Sequence, residues 1–326
     1  MSPDLPPALR GALERALQGV PRAGLTLRAQ RTSEAYRAGQ PSSGVIREAD
    51  DALAYALTRL PATYAACAAV LTQLQTHAPD FTPRSLLDAG AGTAAASWAV
   101  TEAWPELQAA AWLDSSPPFL TLAAQLAAEG PAALRAAKAL RGDLTAAGDW
   151  PLSDLVVASY ALAEIAADRQ TAVVRALWAA TQGVLMLVEP GTPAGYGRIL
   201  AARSALLDAG AALLAPCPHA AACPLTGQDW CHFSVRLPRS HDHRVAKGAV
   251  VPFEDERFAY LVVARPSVRV AASDARVLAP PTVTKPGIAL KLCSPSGNLA
   301  TALIGKRKKP AYAAARRMRW GDTVPR

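Results

Sequence analysis

The segment from Arg84 to Ala103 constrains the fold most, because a short apolar run leads into glycines and then into an alanine-rich stretch. It reads R-S-L-L-D-A-G-A-G up to Gly92, and a helix is predicted from Thr93 to Ala103. A strand that turns through glycines into a helix is the usual opening of a doubly wound sheet that binds nucleotides. Glycines at Gly90 and Gly92 let the backbone approach a ligand without a Cβ atom between them. The sequence therefore predicts a Rossmann-like α/β fold with a ligand at this turn.

Further apolar runs alternate with helical segments along the chain. Strands are predicted at Ala109–Asp114, Asp154–Ser159 and Gly183–Glu189. This βαβ alternation predicts parallel strands joined by crossover helices. Two later strands, His232–Leu237 and Phe258–Ala264, are predicted to form an antiparallel edge pair of the same sheet.

The chain up to about residue 80 is predicted to be helical. Asp51–Leu60 and Ala62–His77 are two helix candidates, and Pro61 is expected to separate them. The second has apolar residues at i, i+3 and i+4 spacing. It carries Cys67, which we interpret as a small buried hydrophobic residue.

Acidic residues accompany the glycine turn. Asp88 precedes the glycines, Asp114 ends the second strand 22 residues after Gly92, and Asp143 lies near the third strand. A carboxylate at the end of the second strand accepts hydrogen bonds from ribose hydroxyls. An acid directly before the glycines, without a G-x-x-x-x-G-K motif, repels phosphates and suits a cationic cofactor that carries an amino acid. We therefore predict S-adenosylmethionine, with Asp88, Gly90 and Gly92 at its methionine part, Asp114 at the ribose and Asp143 at the adenine. A different ligand, or none, is the alternative.

Three of the five cysteines lie in one stretch, Cys217–Cys231, which reads CPHAAACPLTGQDWC and includes Cys223. Cys293 follows further along the chain. Thiols gathered in this way usually hold a metal ion or an iron–sulfur cluster. The stretch has no C-x-x-C pair, which structural zinc sites usually have. The wide spacing and flanking prolines favour a structural four-iron four-sulfur (4Fe–4S) cluster on Cys217, Cys223, Cys231 and Cys293. Zinc bound by Cys and His and unliganded buried thiols are the alternatives.

Four of the five histidines lie in or just after the same stretch. His219 or His232 could replace one thiol as a ligand. His241 and His243 belong to a polar segment, Arg239–Lys247, and are predicted to be surface residues.

Positive charge is concentrated in the last part of the chain. Residues 257–326 contain 14 of the 34 Lys and Arg residues but two of the 26 acidic residues, so their net charge is +12 and that of the remainder is −4. Within them, Ala289–Cys293 and Asn298–Ile304 are predicted to form a hairpin. The basic residues that follow are interleaved with Tyr312 and Trp320, a pattern that suits RNA phosphates and stacked bases. The RNA-binding candidates are Lys306, Arg307, Lys308, Lys309, Arg316, Arg317 and Arg319. A solvated tail is the alternative.

Eight segments together carry a resemblance to one family. They are Ala54-Tyr55 with RLPATY (Arg59–Tyr64), LLDAGAGTAAASWA (Leu86–Ala99), DLVVASYALAEI (Asp154–Ile165), VEPGTPAGY (Val188–Tyr196), the cysteine stretch continuing into DWCHFSVR, FEDERFAYLVVAR, LCSPSGNL, and WGD (Trp320–Asp322). The chain resembles the methyltransferase-like proteins associated with the small subunit of mitochondrial ribosomes and their bacterial relatives, the Rsm-twenty-two type. The cysteine stretch followed by FEDERFAYLV is the most specific part of this resemblance.

The resemblance implies a methyltransferase-like fold, S-adenosylmethionine binding and an iron–sulfur cluster on the four matched cysteines. It also implies a role in assembly of, or translation by, the small ribosomal subunit, with rRNA as the partner.

Two departures from the methyltransferase pattern bear on catalysis. Ala94 stands where many methyltransferases have a third glycine, which adds only a Cβ atom. Ser159-Tyr160-Ala161-Leu162 stands where amino-group methyltransferases often carry Asp/Asn-Pro-Pro-aromatic, and no cysteine is there to attack a pyrimidine ring. The leading hypothesis is an rRNA methyltransferase-like protein that uses, or formerly used, S-adenosylmethionine and whose catalytic residues are unknown. The alternatives are a catalytically silent ribosome-assembly factor and a zinc-stabilised RNA-binding protein.

Composition and sequence pattern predict the class of protein, its cellular location and its domain boundaries. The chain is 51% hydrophobic, which predicts a folded protein, but no apolar run reaches the roughly 18 residues of a membrane span. Five cysteines do not resemble a secreted disulfide scaffold, and no signal-peptide pattern is present, so a cytoplasmic location is expected. We predict a helical region at 1–80, a methyltransferase-like domain at 81–265 with a metal-cluster insertion at 216–232, and a basic RNA-binding β extension at 266–326.

Overall fold

The computed structural model describes residues 1–37, 44–146, 148–272 and 274–324. Within these ranges the central sheet has eight strands. They are β1 (Ser85–Ala89), β2 (Ala109–Asp114), β3 (Lys138–Arg141), β4 (Ser153–Ser159), β5 (Thr181–Pro190), β6 (Ala212–Ala215), β7 (Phe233–Pro238) and β8 (Phe253–Ala264).

The strand order in the central sheet is β3-β2-β1-β4-β5-β8-β6, and β7 also pairs with β8. Strands β1 to β5 are parallel, whereas β8 runs antiparallel to β5. The order reverses at β1, where a doubly wound sheet opens its ligand crevice. The predicted Rossmann-like α/β fold is confirmed.

Helices cover both faces of this sheet. They are α1 (Pro7–Ala16), α2 (Arg22–Arg37), α3 (Ala49–His77), α4 (Ala95–Ala103), α5 (Pro117–Ala127), α6 (Ala132–Arg135), α7 (Ala167–Ala180), α8 (Pro193–Asp208) and α9 (His241–Lys247). One apolar layer joins α1, α3, α4 and α5 to the sheet, and the other joins α7 and α8 to it. In the described part of the chain, no helix is both long and apolar enough to cross a membrane.

Helix α3 passes through Pro61 without a break, so the prediction of two separate helices is wrong. Proline removes one backbone hydrogen bond and normally ends or kinks a helix. Here residues on both sides of it, including Leu60 and Ala62, are fully buried. Packing against α2, α4 and the strands β7 and β8 therefore offsets the lost hydrogen bond.

The predicted antiparallel edge pair needs a correction, because β8 is not an edge strand. It lies between β5 on one side and both β6 and β7 on the other. Leu213 pairs with Val263 and Phe233 pairs with Phe258, so β6 and β7 run in the same direction along β8. They are two pieces of one interrupted strand, and the cysteine stretch is the segment that leaves the sheet between them.

A second, smaller sheet follows. It contains β9 (Ala275–Val277), β10 (Thr282–Val283), β11 (Gly287–Cys293), β12 (Leu299–Gly305) and β13 (Thr323–Val324), and helix α10 (Lys309–Ala315) packs on it. The predicted hairpin is confirmed, since β11 and β12 pair antiparallel from Gly287–Gly305 to Cys293–Leu299. Its small core includes Val277, Ile288 and Leu290.

Candidate functional site

The glycine turn after β1 adopts the backbone that its sequence predicts. Gly90 and Gly92 have φ of +73° and +53°, in the left-handed region that side chains rarely adopt. A Cβ atom at Gly90 would lie 2.7 Å from the Cβ of Ala161, so only glycine fits there. Ala94, expected to add no more than a Cβ atom, also takes the left-handed region at φ +60°. Its backbone strain costs about 1–2 kcal/mol, so the alanine is less neutral than expected.

Four of the five predicted cofactor residues line one cavity of about 1480 Å³. They are Gly90, Gly92, Asp114 and Asp143. Asp114 lies at the end of β2, and its two carboxylate oxygens accept hydrogen bonds of 2.8 Å from the Gly92 and Ser116 backbone N–H groups. Burial raises the pKa of Asp114, although these hydrogen bonds oppose the rise. The turn and the acid are therefore held together as one preformed wall.

Asp88 does not line this cavity in the described structure. Its side chain is fully buried behind the turn, and its Oδ2 accepts hydrogen bonds from the backbone N–H (3.1 Å) and the hydroxyl (2.7 Å) of Ser97 in α4. The Oδ1 atom has no hydrogen-bond partner. Burial raises the pKa of Asp88 to about 7. Asp88 thus supports the start of α4, and its contact with a cofactor stays a prediction.

The residues after β4 form a group that sequence reasoning missed. Tyr160 is a non-glycine residue at φ +59°, and its hydroxyl donates a 2.8 Å hydrogen bond to Glu256. The Arg59 guanidinium donates to the same carboxylate at 3.2 Å and lies 5.7 Å from the centre of the Tyr160 ring. Burial and the charge of Glu256 raise the pKa of Tyr160 well above its ordinary value, so the phenol is neutral. All three residues lie in segments that carry the family resemblance, which was the available signal.

The four predicted metal ligands line a second, small cavity of about 30 Å³. Cys217, Cys223 and Cys231 come from the segment between β6 and β7, and Cys293 ends β11. None of the four forms a disulfide. The fold therefore brings together thiols that are up to 76 positions apart in the chain.

The thiols influence one another electrostatically. Burial raises the pKa of Cys217, Cys231 and Cys293, the last to about 12, and charge on neighbouring thiols raises each further. The Tyr196 hydroxyl lies 3.1 Å from the Cys223 sulfur. In the described ranges, however, no group of three or more His, Cys, Asp or Glu side chains is arranged to hold a metal ion.

The four histidines of this region lie in four different settings. His219 lines the cysteine cavity, with its Nε2 3.3 Å from the Cys293 sulfur. His232 instead stacks on Trp230, with ring centres 5.1 Å apart. His241 is exposed as predicted, but the prediction for His243 is wrong: it is buried in α9, 3.4 Å from Glu254, because that helix packs on α2 and α3.

The seven RNA-binding candidates lie after β12, in and around α10. All of them are exposed: Lys306, Arg307, Lys308, Lys309, Arg316, Arg317 and Arg319. None makes an ion pair with a carboxylate that the described residues supply. Their positive charges are therefore free to meet an external anion.

Most of the chain matches the model of one protein family. A profile described as "Mitochondrial small ribosomal subunit Rsm22" matches residues 49–325, from the start of α3 onward. The chain belongs to the Rsm22 family. The resemblance inferred from the eight segments is thereby confirmed.

Two named relatives share parts of this Rsm22 chain. The human "Ribosome assembly protein METTL17, mitochondrial" is 29% identical over 300 residues, covering 84% of this chain and 62% of the relative. The "Rsm22-cox11 tandem protein 2, mitochondrial" of Schizosaccharomyces pombe is 26% identical over 216 residues, covering 52% of this chain and 29% of the relative. The chain therefore spans less than two thirds of the length of these relatives.

Two solved structures with a similar fold are distant in sequence. Magnesium protoporphyrin IX methyltransferase from Synechocystis, with bound SAH, has a TM-score of 0.42 and 15% identity, and the match covers 63% of this chain and 83% of that one. Precorrin-6y C5,15-methyltransferase from Geobacter metallireducens has a TM-score of 0.41 and 16% identity, over 62% and 86%. The order of strands in the sheet, and not these scores, identifies the fold of this Rsm22 protein.

Proposed function

We propose that this protein binds S-adenosylmethionine and acts on the small ribosomal subunit or its rRNA, in ribosome assembly or translation. One observation carries the cofactor: Gly90, Gly92 and Asp114 meet at a single large cavity, with the acid at the end of β2 where a ribose would be recognised. S-adenosylmethionine would supply an electrophilic methyl group there. The chain would hold the ribose at Asp114 and the adenine at Asp143, and the glycine backbone would admit the methionine part. Membership of the Rsm22 family supports the ribosomal role.

Calorimetry with S-adenosylmethionine tests the cofactor site. We expect Asp114→Ala to weaken binding about 10-fold or more, because it removes the carboxyl oxygens that would accept hydrogen bonds from the ribose. Asp149→Ala, at an exposed acid outside the cavity lining, should bind like the wild type. Absence of any binding by the wild type would contradict the proposal.

A catalytically silent assembly factor is the second candidate, and the Tyr160 group favours it. A general base for methyl transfer needs an acceptor for a proton near the reacting atom. At the position after β4, the neutral Tyr160 phenol already donates a hydrogen bond to Glu256, which also pairs with Arg59. Tyr160 is therefore not a free proton acceptor there. Incubation with labelled S-adenosylmethionine and small-subunit RNA separates the two candidates: binding without methyl transfer supports the silent factor, and transfer supports the enzyme.

We propose that the cysteine cavity holds a structural 4Fe–4S cluster. Four thiols line one cavity, and thiolates are the usual ligands of such clusters. Each thiolate of a 4Fe–4S cluster binds a different iron, so the four sulfurs lie farther from the centre of the site than they would around a single ion. A zinc ion needs all four ligands about 2.3 Å from one centre. Among the described residues no three such side chains are arranged to hold a single ion, so a cluster is favoured and zinc stays the alternative.

Purification without oxygen distinguishes an iron–sulfur cluster from zinc. Brown protein with broad visible absorbance and about four irons per chain is the expected result. Colourless protein with stoichiometric zinc would replace the cluster by zinc and support the zinc-stabilised RNA-binding protein.

We propose that the exposed basic residues after β12 contact rRNA phosphates. Each phosphate contact adds about 0.9 to the slope of log K against log salt for duplex nucleic acid and about 0.7 for single strands. We expect Lys308→Ala to lower that slope by roughly this amount for small-subunit RNA. Lys138→Ala removes an exposed charge from β3, at the far edge of the central sheet, and should leave the slope unchanged. An unchanged slope for Lys308→Ala would favour a solvated tail.

We also propose a cytoplasmic setting, which rests on cysteine usage. The names of the relatives describe mitochondrial proteins, and those names apply to the relatives. Co-sedimentation of the protein with small ribosomal subunits from a cytoplasmic fraction is the expected result. Recovery only in another compartment would contradict this setting.

A further inference from the structure

Two buried arginines border the cysteine cavity, Arg203 from α8 and Arg276 from β9. Arg203 is 6% exposed and Arg276 is 2% exposed. Neither forms an ion pair with a carboxylate that the described residues supply. Removing a guanidinium from water costs several kcal/mol unless a negative group compensates it. The fold would therefore be expected to supply a negative charge close to both.

The hydrogen bonds of Arg276 are satisfied, but only by neutral groups. Its Nε donates to the Pro216 carbonyl at 3.0 Å, and its Nη1 donates to the Gly321 carbonyl at 2.6 Å and to the Gln73 side chain. Its Nη2 lies 3.0 Å from His77 Nε2, and burial and the positive charge of Arg276 lower the pKa of that imidazole, which keeps it neutral. These contacts position the side chain without neutralising its charge.

Arg203 leaves one donor without a partner. Its Nη2 donates to the carbonyl groups of His219 and Ala221 at 2.8 and 2.7 Å, which fixes the segment between Cys217 and Cys223. Its Nε is buried and has no hydrogen-bond partner. Buried donors are normally hydrogen-bonded. An anionic group bound in this cavity would supply the missing partner of this positively charged side chain.

The same cavity as both arginines is lined by thiols that become thiolates when they bind a metal, namely Cys217, Cys223, Cys231 and Cys293. Four thiolates around a doubly positive metal core would carry a net charge of about −2. Two guanidinium groups match that charge.

We propose that Arg203 and Arg276 are the built-in counter-charges of an anionic metal–thiolate centre on Cys217, Cys223, Cys231 and Cys293. The inference rests on the proposed metal site and extends it with residues that do not ligate the metal. Charge and hydrogen bonding around a cluster set its reduction potential. The two arginines therefore favour retention of the centre and make it easier to reduce.

Arg203→Met and Arg203→Lys test this inference in the full chain purified without oxygen. Both variants lose the planar guanidinium, but the lysine keeps the charge. A redox titration followed by visible and magnetic spectroscopy should show a shift to more negative potential for Arg203→Met and a much smaller shift for Arg203→Lys. Reduction adds negative charge to the centre, so loss of a nearby positive charge disfavours it. Arg175→Met, at an exposed site on α7, should leave the potential unchanged.

The outcomes distinguish the inference from the metal site itself. Equal potentials for the wild type and Arg203→Met, or equal shifts for the Met and Lys variants, would overturn the counter-charge role while leaving the metal site intact. If the wild type carries zinc, competition with a chromophoric chelator replaces the titration, and Arg203→Met should bind zinc about 10-fold or more weakly than Arg203→Lys. A wild type that carries neither metal would overturn both proposals.

Discussion

At the scale of single residues, two carboxyl groups near the cofactor cavity are buried, which disfavours their ionised form. Burial raises the pKa of both Asp88 and Glu189 to about 7, although Glu189 also pairs with Arg198 at 2.5 Å. A pKa that is higher in the folded protein than in the unfolded chain makes stability depend on pH. Asp88 is the clearer case, because one of its oxygens has no partner.

The first prediction concerns Asp88→Asn. The folded pKa of Asp88 is about 7 and its ordinary value is 3.8, so protonation favours the fold. Its contribution is fully present below about pH 4 and is lost as the pH rises through about 7. Wild-type unfolding free energy, measured in denaturant at pH 5 and pH 8, should therefore fall more than that of Asp88→Asn. Glu189 and the histidines titrate in both proteins and cancel in the comparison; equal falls would count against a buried, protonated Asp88.

The second prediction compares two cysteines. Cys67 is fully buried in α3, away from the cavity that Cys231 lines. Cys67→Ser buries a hydroxyl, at a cost of about 1–3 kcal/mol, whereas Cys231→Ser removes a proposed ligand and the folding free energy linked to metal binding. The melting temperature of protein purified without oxygen should fall further for Cys231→Ser. Equal melting temperatures would contradict the ligand assignment.

At the scale of elements, α8 forms a wall of both cavities. Thr192, Ala194 and Arg198 at its first turns line the cofactor cavity, while Tyr196 and Arg203 line the cysteine cavity. The helix starts at an N-cap, where the Thr192 hydroxyl accepts from the Gly195 N–H at 3.1 Å. Its position against β5 therefore sets the geometry of the two sites together.

The third prediction uses two glycines of α8 as a matched pair. A Cβ atom at Gly195 would lie 2.0 Å from the Pro190 carbonyl oxygen, whereas one at Gly197 would meet nothing within 4 Å. Gly195→Ala should lower the free energy of unfolding by about 2 kcal/mol or more through overpacking. Gly197→Ala should raise it by about 0.5–1 kcal/mol, since alanine favours a helix over glycine.

Denaturant unfolding measures both α8 variants, and calorimetry with S-adenosylmethionine shows whether the shift of α8 reaches the cofactor cavity. We expect weaker binding for Gly195→Ala alone. If both alanine variants were equally stable, the close packing of α8 on the end of β5 would be wrong.

At the scale of the whole molecule, the cysteine stretch joins the central sheet to the C-terminal sheet. Asp229 pairs with Lys291 of β11, and the Gly321 Cα approaches Phe233 so closely that a Cβ atom there would lie 3.0 Å from the ring. Arg276 bridges Gln73 of α3, Pro216 and Gly321. With Cys293 supplied by β11, a metal centre would fasten the two sheets to each other.

The fourth prediction follows from that connection. Removal of the metal should loosen the C-terminal sheet, because its own core is small and Cys293 would no longer tie it to the cysteine stretch. Trypsin should then cleave faster after the exposed Arg269, which lies between β8 of the central sheet and β9 of the second one. Cys293→Ser should show the same acceleration with metal supplied, and Cys67→Ser should not. An identical cleavage pattern with and without metal would contradict the fastening role.

Features that depend on local pattern could be predicted from residue type and spacing. The apolar runs and the glycine turn predicted the parallel strands, since period and turn chemistry are properties of neighbouring residues. Residue type and spacing also predicted the hairpin that contains Cys293 and the cysteine stretch. They predicted the basic surface after the hairpin in the same way.

Features that depend on residues far apart in the chain follow from tertiary packing and could not be predicted from neighbouring residues. Pro61 lies inside one helix because distant strands and helices bury the residues on either side of it. Strands β6 and β7 become one interrupted strand only beside β8. Asp88 lies behind the cavity, and Arg203 and Arg276 are buried beside the thiols. No local pattern predicts such burial, because long-range packing sets both burial and charge pairing. The free energy of one buried charge is larger than the helix or strand propensities of several neighbouring residues together.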